Sequence, residues 1–292
     1  MSAATILHVA VSGLATGSIY ALMALSLVIV YNATRTLNFA QGEMLMLSTF
    51  VAWAAYRALA LPLPVVLVVA VVAAAALAYV IERLVIRRAI SATHWDVLII
   101  TLGLSLMLRA GAGIAWTHDE FAFPSFFSNR PVALGPVKVA PVSLGILGAS
   151  LALMLALYLL FTFTRFGRAM RAVAQNQRAA RLMGISVERA YSASWILAAV
   201  VGAIAGVLVA PVVFLSSKMG LIVINGFTAA VIGGFGSMPG AVVGGMLLGV
   251  IENLAPLYLP SGIRYSVPFL VLIAILLIRP AGLLGQVERR KV

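Results

Sequence analysis

The most restrictive feature of this chain is a succession of apolar runs separated by short polar intervals. They lie near 5–30, 39–56, 64–82, 95–116, 142–163, 191–213 and 263–279. A helix of roughly 20 residues covers the hydrocarbon of a bilayer, and backbone groups in lipid must be bonded within the segment. Each run therefore predicts a membrane-spanning helix. A soluble domain of 292 residues does not bury a chain that is 63% hydrophobic and 10% charged,. A mean hydropathy of +1.11 agrees with a polytopic membrane protein.

The formal net charge of +12 raises nucleic acid as a partner. The basic residues lie mostly in short loops beside apolar runs, which fits membrane orientation better and argues against nucleic acid. With the interval after 163 placed inside, Arg35, Arg83, Arg87, Arg88, Arg279, Arg289, Arg290 and Lys291 also fall inside. Arg57, Arg130, Lys138, Lys218 and Arg264 fall outside. The bias predicts an outside N terminus and an inside, cytoplasmic C terminus, the N terminus being periplasmic if the membrane is a bacterial inner one. The sequence has no cysteine, so disulfides and thiol chemistry are excluded,. The first apolar run lacks the basic start and short core of a cleavable signal.

The longest polar interval, 165–189, carries Arg165, Arg168, Arg171, Arg178, Arg181 and Arg189 against one acid, Glu188. At about 100° per residue, Arg168, Arg171, Gln175, Arg178 and Arg181 share one side of a helix. Ala169, Ala172, Val173, Ala179, Ala180 and Met183 fall largely on the other, with Asn176 and Leu182 as exceptions. Gly184 supplies a helix stop. Two readings remain open. One is a basic loop that sets topology and touches anionic headgroups. The other is a docking surface for a cytoplasmic partner, whose close approach the small alanines permit.

Within the apolar part, 221–255 is two short pieces, 221–235 and 240–255, split by Gly236-Ser237-Met238-Pro239-Gly240. They predict either a re-entrant hairpin or two tilted short helices. Interrupted helices present backbone groups to substrate in many transporters, so Gly236 and Gly240 are candidate path residues. Gly236, Gly240 and Gly244 repeat every four residues, as do Gly245 and Gly249, Gly13 and Gly17, and Gly202 and Gly206. Close helix packing accounts for most such spacing. Asn225 and Thr228 open the piece before the break. Glu252 and Asn253 lie near the far end of the next, lining a vestibule or marking the interface.

Polar residues at membrane depth need water or protein partners. Asn38, Gln41 and Glu43 sit at the start of the second run. Glu43 is a gate or pathway residue, or an ordinary acid complementing the helix dipole, the simpler reading. Arg109 lies deep in the fourth run, where a structural ion pair is preferred over a pathway role. Asp96 reads as a helix cap beside His94 and Trp95. The interval 117–141 is the longest external one. Its Phe121, Phe123, Phe126 and Phe127 predict interfacial anchors, with an external partner as the alternative.

Catalysis finds no support. His8, His94 and His118 lack metal-ligand spacing, and no nucleophile elbow is present,. No metal or other cofactor is predicted. No phosphate-binding Gly-x4-Gly-Lys-Ser/Thr loop occurs, so a nucleotide motor would reside on another chain.

The stretch GSIYALMALSLVIVYNATRTLNFAQGEMLML at 17–47 resembles the N-terminal signature of bacterial branched-chain amino acid ABC transporter permeases, with Asn38-Phe39-Ala40-Gln41-Gly42-Glu43 at the family's Asn-Phe-Ala-His/Gln-Gly-Glu motif. The stretch GFTAAVIGGFGSMPGAVVGGMLLGVIENL at 226–254 is similar to its second signature. Arg178-Ala179-Ala180-x3-Gly184 is similar to the Glu-Ala-Ala-x3-Gly coupling segment of ABC importers, with arginine replacing the acid.

The resemblance implies an all-α polytopic membrane protein of about eight transmembrane segments. It would form a single permease domain, 1–292, with a coupling segment at 165–190 and an external loop at 117–141. It implies a non-enzymatic permease subunit in the bacterial inner membrane, importing branched-chain or similar small amino acids. Its partners would be a second homologous permease, two cytoplasmic ATP-binding subunits, a periplasmic substrate-binding protein and the lipid bilayer. Coupling falls to Arg171, Arg178, Ala179, Ala180, Arg181 and Gly184. The path or gate falls to Asn38, Gln41, Glu43, Asn225, Thr228, Gly236, Gly240 and Glu252. Related permeases serve urea and short amides. A self-sufficient channel or secondary transporter is the alternative of another class.

Overall fold

The computed structural model describes residues 3–89, 94–128, 132–134, 137–260 and 266–285. Among the expected loop and tail residues, Arg130, Pro131, Pro136, Arg264, Arg289, Arg290 and Lys291 lie outside the described residues.

The chain opens with α1 (Ala3–Thr34), α2 (Gln41–Leu59) and α3 (Leu63–Ile81). A π-helical turn, Glu82–Ile86, carries α3 into the short α4 (Arg87–Ala89), and α5 (His94–Trp116) follows. A hairpin of β1 (Val132–Leu134) and β2 (Val137–Val139) pairs Val132 with Val139. Then come α6 (Pro141–Phe163), α7 (Arg165–Gln175), α8 (Gln177–Leu182) and α9 (Val187–Val213). The last helices are α10 (Ile222–Gly233), α11 (Met238–Leu254) and α12 (Val267–Ile278).

Among the described residues, six helical stretches are long and apolar enough to cross a bilayer: Ile6–Thr34, Leu63–Ala89, Trp95–Trp116, Pro141–Phe163, Val187–Val213 and Met238–Leu257. Met219–Gly233 and Val267–Ile278 are shorter apolar helices. The all-α polytopic expectation holds, and the small hairpin at 132–139 is an addition to it. Of the two pieces expected in 221–255, only the first stays short. The second begins at Met238, with Pro239 in its first turn, and runs through a 3-10 turn to Leu257.

Two compact units divide the chain. The first comprises residues 1–28, 125–151 and 224–292. In it, the backbones of α1 and α11 meet at Gly13, Gly17, Gly245 and Gly249. A Cβ at Gly13 would collide with Val250, and one at Gly249 with the Gly17 backbone. Gly244 faces the Ala229 carbonyl and Gly233 in the same way. Without a hydrophobic drive between helices in lipid, such close packing supplies the cohesion.

The second unit comprises residues 29–124 and 152–223. Here α2, α3 and α9 pack on one another. Along α3, Val66, Ala70, Ala74 and Ala78 recur every four residues and are fully buried. Val68 and Val72, about 60% exposed, point the other way. Small residues inward and bulky ones outward are what a lipid-facing helix requires.

The phenylalanines of 117–141 are not all outward anchors. Phe121 tilts against Trp53 with centroids 4.5 Å apart, and its backbone bridges to Leu215. Phe123 is buried. In the first unit, the Phe127 ring covers Gly145. The physical reason is local: Phe50, Trp53 and Trp116 already form an aromatic wall onto which Phe121 closes.

Candidate functional site

The motif Asn38–Glu43 folds as a hydrogen-bonded turn leading into α2. Arg35 takes φ 58° just past α1. The Asn38 side chain then accepts from the Ala40 amide at 3.1 Å and donates to Gln41 Oε1 at 3.0 Å. Gln41 Nε2 donates onward to the Ala198 carbonyl of α9 at 2.8 Å. Gly202 lies beneath that amide and leaves room for it. Gly42 sits directly on the Gly220 carbonyl, where a side chain would collide.

Asn38, Gln41 and Glu43 are all buried. A buried carboxylate at this depth requires a cation. Arg109 supplies it from α5, donating from Nε at 3.1 Å and from Nη2, both to Glu43 Oε1. The ion pair expected for Arg109 is therefore present, and Glu43 is its partner.

Sequence reasoning misses a second buried acid, Glu82. Its carboxylate is met by Arg87 Nε at 3.1 Å, Arg87 Nη2 at 3.2 Å and the Ser192 hydroxyl at 2.8 Å. The signal available in the sequence is an acid at the boundary of an apolar run, followed by Arg87. The π-helical turn brings those two side chains together across five residues.

The basic interval is two helices rather than one. Asn176 leaves helical geometry at φ −156°, ψ 105°, and its side chain caps α8 by accepting from Ala179 N at 3.0 Å. Asparagine competes for backbone donors in this way, which makes it a good cap and a poor helix interior residue. The break divides the helix in two, while Arg168, Arg171, Gln175, Arg178 and Arg181 are all exposed. Arg171 donates to the Phe161 carbonyl at the end of α6, and Arg168 to that of Phe163 at 3.4 Å. Basic side chains suit those unsatisfied carbonyls.

Arg178 and Ala179 are exposed, Ala180 is buried, and Arg181 pairs with Glu188 at 3.1 Å. Met183, expected on the inner side, is 81% exposed beside Leu182 at 90%. Gly184 does stop the helix. At φ +78° it donates to the Arg181 carbonyl while Ile185 donates to that of Ala180, the αL ending that glycine favours.

Two hydrogen bonds tie this tip to the α1–α2 connection. Arg35 Nη2 donates to the Ala174 carbonyl at 3.0 Å, and Gln177 Nε2 to that of Ala33 at 3.5 Å.

Asn225, Thr228, Gly236, Gly240 and Glu252 belong to the first unit. Thr228 and Glu252 are buried and Asn225 is half-buried. The Ile232 and Gly233 carbonyls accept from the Leu283 and Leu284 amides at 2.8 Å, and Ser237 Oγ accepts from Gly240 N. Gly240 presses on Gly233. Gly236 takes φ +96° in the turn between α10 and α11. Among the described residues no group of acids and histidines suits a metal ion.

The family of branched-chain amino acid transport system permease components matches residues 9–276. The high-affinity branched-chain amino acid transport system permease protein LivH of Escherichia coli K12 is 33% identical, over 96% of both chains. The corresponding protein BraD of Pseudomonas aeruginosa is 31% identical, over 97% of this chain and 96% of that one. The solved structure "PsaBC from Streptococcus pneumoniae in complex with Fab" shares the fold with a TM-score of 0.51 at 14% identity, covering 93% of this chain and 89% of that one. LivH and BraD are both transport system permease proteins. With near-full-length relatives and a family match that leaves only its ends uncovered, this chain belongs to the branched-chain amino acid transport system permease family.

Proposed function

We propose that this chain is one of two permease subunits in an ATP-driven importer of branched-chain or similar small amino acids. The near-full-length likeness to LivH and BraD carries this reading. The second permease is a homologue of this one. Two cytoplasmic ATP-binding subunits drive the pair, and a periplasmic substrate-binding protein delivers the cargo. The N terminus faces the periplasm of a bacterial inner membrane and the C terminus the cytoplasm.

The tip formed by α7 and α8 receives the motor through Arg178, Ala179, Leu182 and Met183. Exposed apolar side chains rimmed by charge suit a protein contact. The bonds from Arg35 and Gln177 carry its displacement to the α1–α2 connection and so to Asn38, Gln41 and Glu43. Only a difference in partner affinity between the two states drives such a change.

Uptake of L-leucine into proteoliposomes tests the reading. The purified chain alone is expected to be silent, and the complete assembly with ATP active. Transport by the chain alone would instead assign it to channels or secondary transporters.

A further inference from the structure

The two buried carboxylates of the second unit are held differently. Glu82 has both oxygens occupied, Oε1 by Arg87 and Oε2 by Arg87 and Ser192. Glu43 has one. Both Arg109 donors converge on Oε1, and Oε2 is buried with no hydrogen-bond partner. It lies against Gly220, where a side chain would collide with it. An ionised carboxylate offers about four acceptor sites, so this one keeps capacity for a further donor.

Its partner is equally unsaturated. Arg109 leaves 35% of its side chain open, against 2% for Glu43. A cationic side chain only partly enclosed at membrane depth requires water or protein beside its charge rather than lipid. Arginine presents a fork of donors matched to a carboxylate, and only Nε and Nη2 engage Glu43,.

We propose that Glu43 and Arg109 form a partner-exchange site for the charged ends of an α-amino acid. The substrate carboxylate takes the Arg109 fork, and the substrate ammonium takes Glu43. The proposal rests on the amino acid importer reading. One ion pair becomes two, the net charge of the site is unchanged, and neither protein charge is left alone in the interior. Arg109, the more open partner, moves first, and its departure uncovers Glu43. Without substrate the pair closes on itself. Such a site reads the zwitterion and is indifferent to the side chain, whose selection lies elsewhere.

The test uses the complete importer in proteoliposomes, with Glu43→Gln and Arg109→Met introduced together. A purely structural pair tolerates neutral replacement of both members, and leucine uptake within twofold of the unaltered importer overturns the proposal. A loss of at least tenfold, with the variant still present in the membrane and co-purifying with its ATP-binding subunits, supports it. Should the variant not accumulate, the unaltered importer decides. Its Arg109 guanidinium 15N resonance, assigned by its loss in Arg109→Lys, is expected to shift with saturating L-leucine and not with 4-methylpentanoate, which lacks the ammonium. An unmoved resonance overturns the site. Leucine uptake by the unaltered importer is the control. Its absence removes the importer reading itself, whereas its presence beside an active double variant removes only the exchange site.

Discussion

Arg87→Met is expected to destabilise the protein by about 3 kcal/mol, and Glu82→Met by less than about 1 kcal/mol. The asymmetry follows from which partner is buried. The Glu82 side chain is 1% exposed and that of Arg87 39%. Removing Arg87 strands an ionised carboxylate inside the unit, with the Ser192 hydroxyl still donating to it. Removing Glu82 leaves a cation that already reaches solvent or headgroups, and methionine refills the space with an unbranched apolar chain. Ser192 then keeps the Glu188 carbonyl as acceptor at 3.2 Å. The lower end of the usual range for broken buried pairs applies because Arg87 is partly exposed. Unfolding free energies from SDS titration in mixed micelles measure both variants against the parent. Equal losses, or a larger loss for Glu82→Met, would refute the reasoning, because stranding the buried charge would then not be what costs most.

Three further outcomes are expected. Asn176→Ala removes the cap of α8 and is expected to cost about 1 kcal/mol locally. Hydrogen exchange should accelerate over 177–184 and remain unchanged in α3. Gly249→Ile drives a branched side chain into the Gly17 backbone of α1. A loss of about 2 kcal/mol or more is expected from overpacking, read as a reduced amount of extractable monodisperse protein. Leu182→Asp with Met183→Asp is expected to weaken association with the ATP-binding subunits at least tenfold in a pull-down, with the chain's membrane level unchanged. Full association would remove the docking role given to the tip.

The spans are legible because lipid forbids unpaired backbone, so any apolar run of sufficient length must be a helix. The need of Arg109 for a partner is legible for the same reason. The identity of the partner is not, since Glu43 is separated from it by 66 residues and no periodicity links the two. Glu82 escapes notice because Arg83, Arg87 and Arg88 surround it and the group reads as a solvated boundary. Its burial comes from the π-helical turn, a feature with no marker in the hydropathy pattern. Periodicity also misleads at Met183. An unbroken helical phase runs through Asn176, whereas its side chain finds a better partner in the Ala179 amide than a helix interior offers,.

The hydrogen bonds that join the basic tip to the α1–α2 connection and the buried motif to α9 share one property. Arg35, Gln177 and Gln41 donate to the carbonyls of Ala174, Ala33 and Ala198. Every acceptor is main chain, and every acceptor residue is alanine, the side chain with least to say about its surroundings. A sequence records the donors as ordinary polar residues at the edge of a span and leaves the acceptors invisible. This set of contacts is therefore written in backbone positions. Substitution at Ala33, Ala174 or Ala198 by other small residues should leave it intact, while loss of a donor should not.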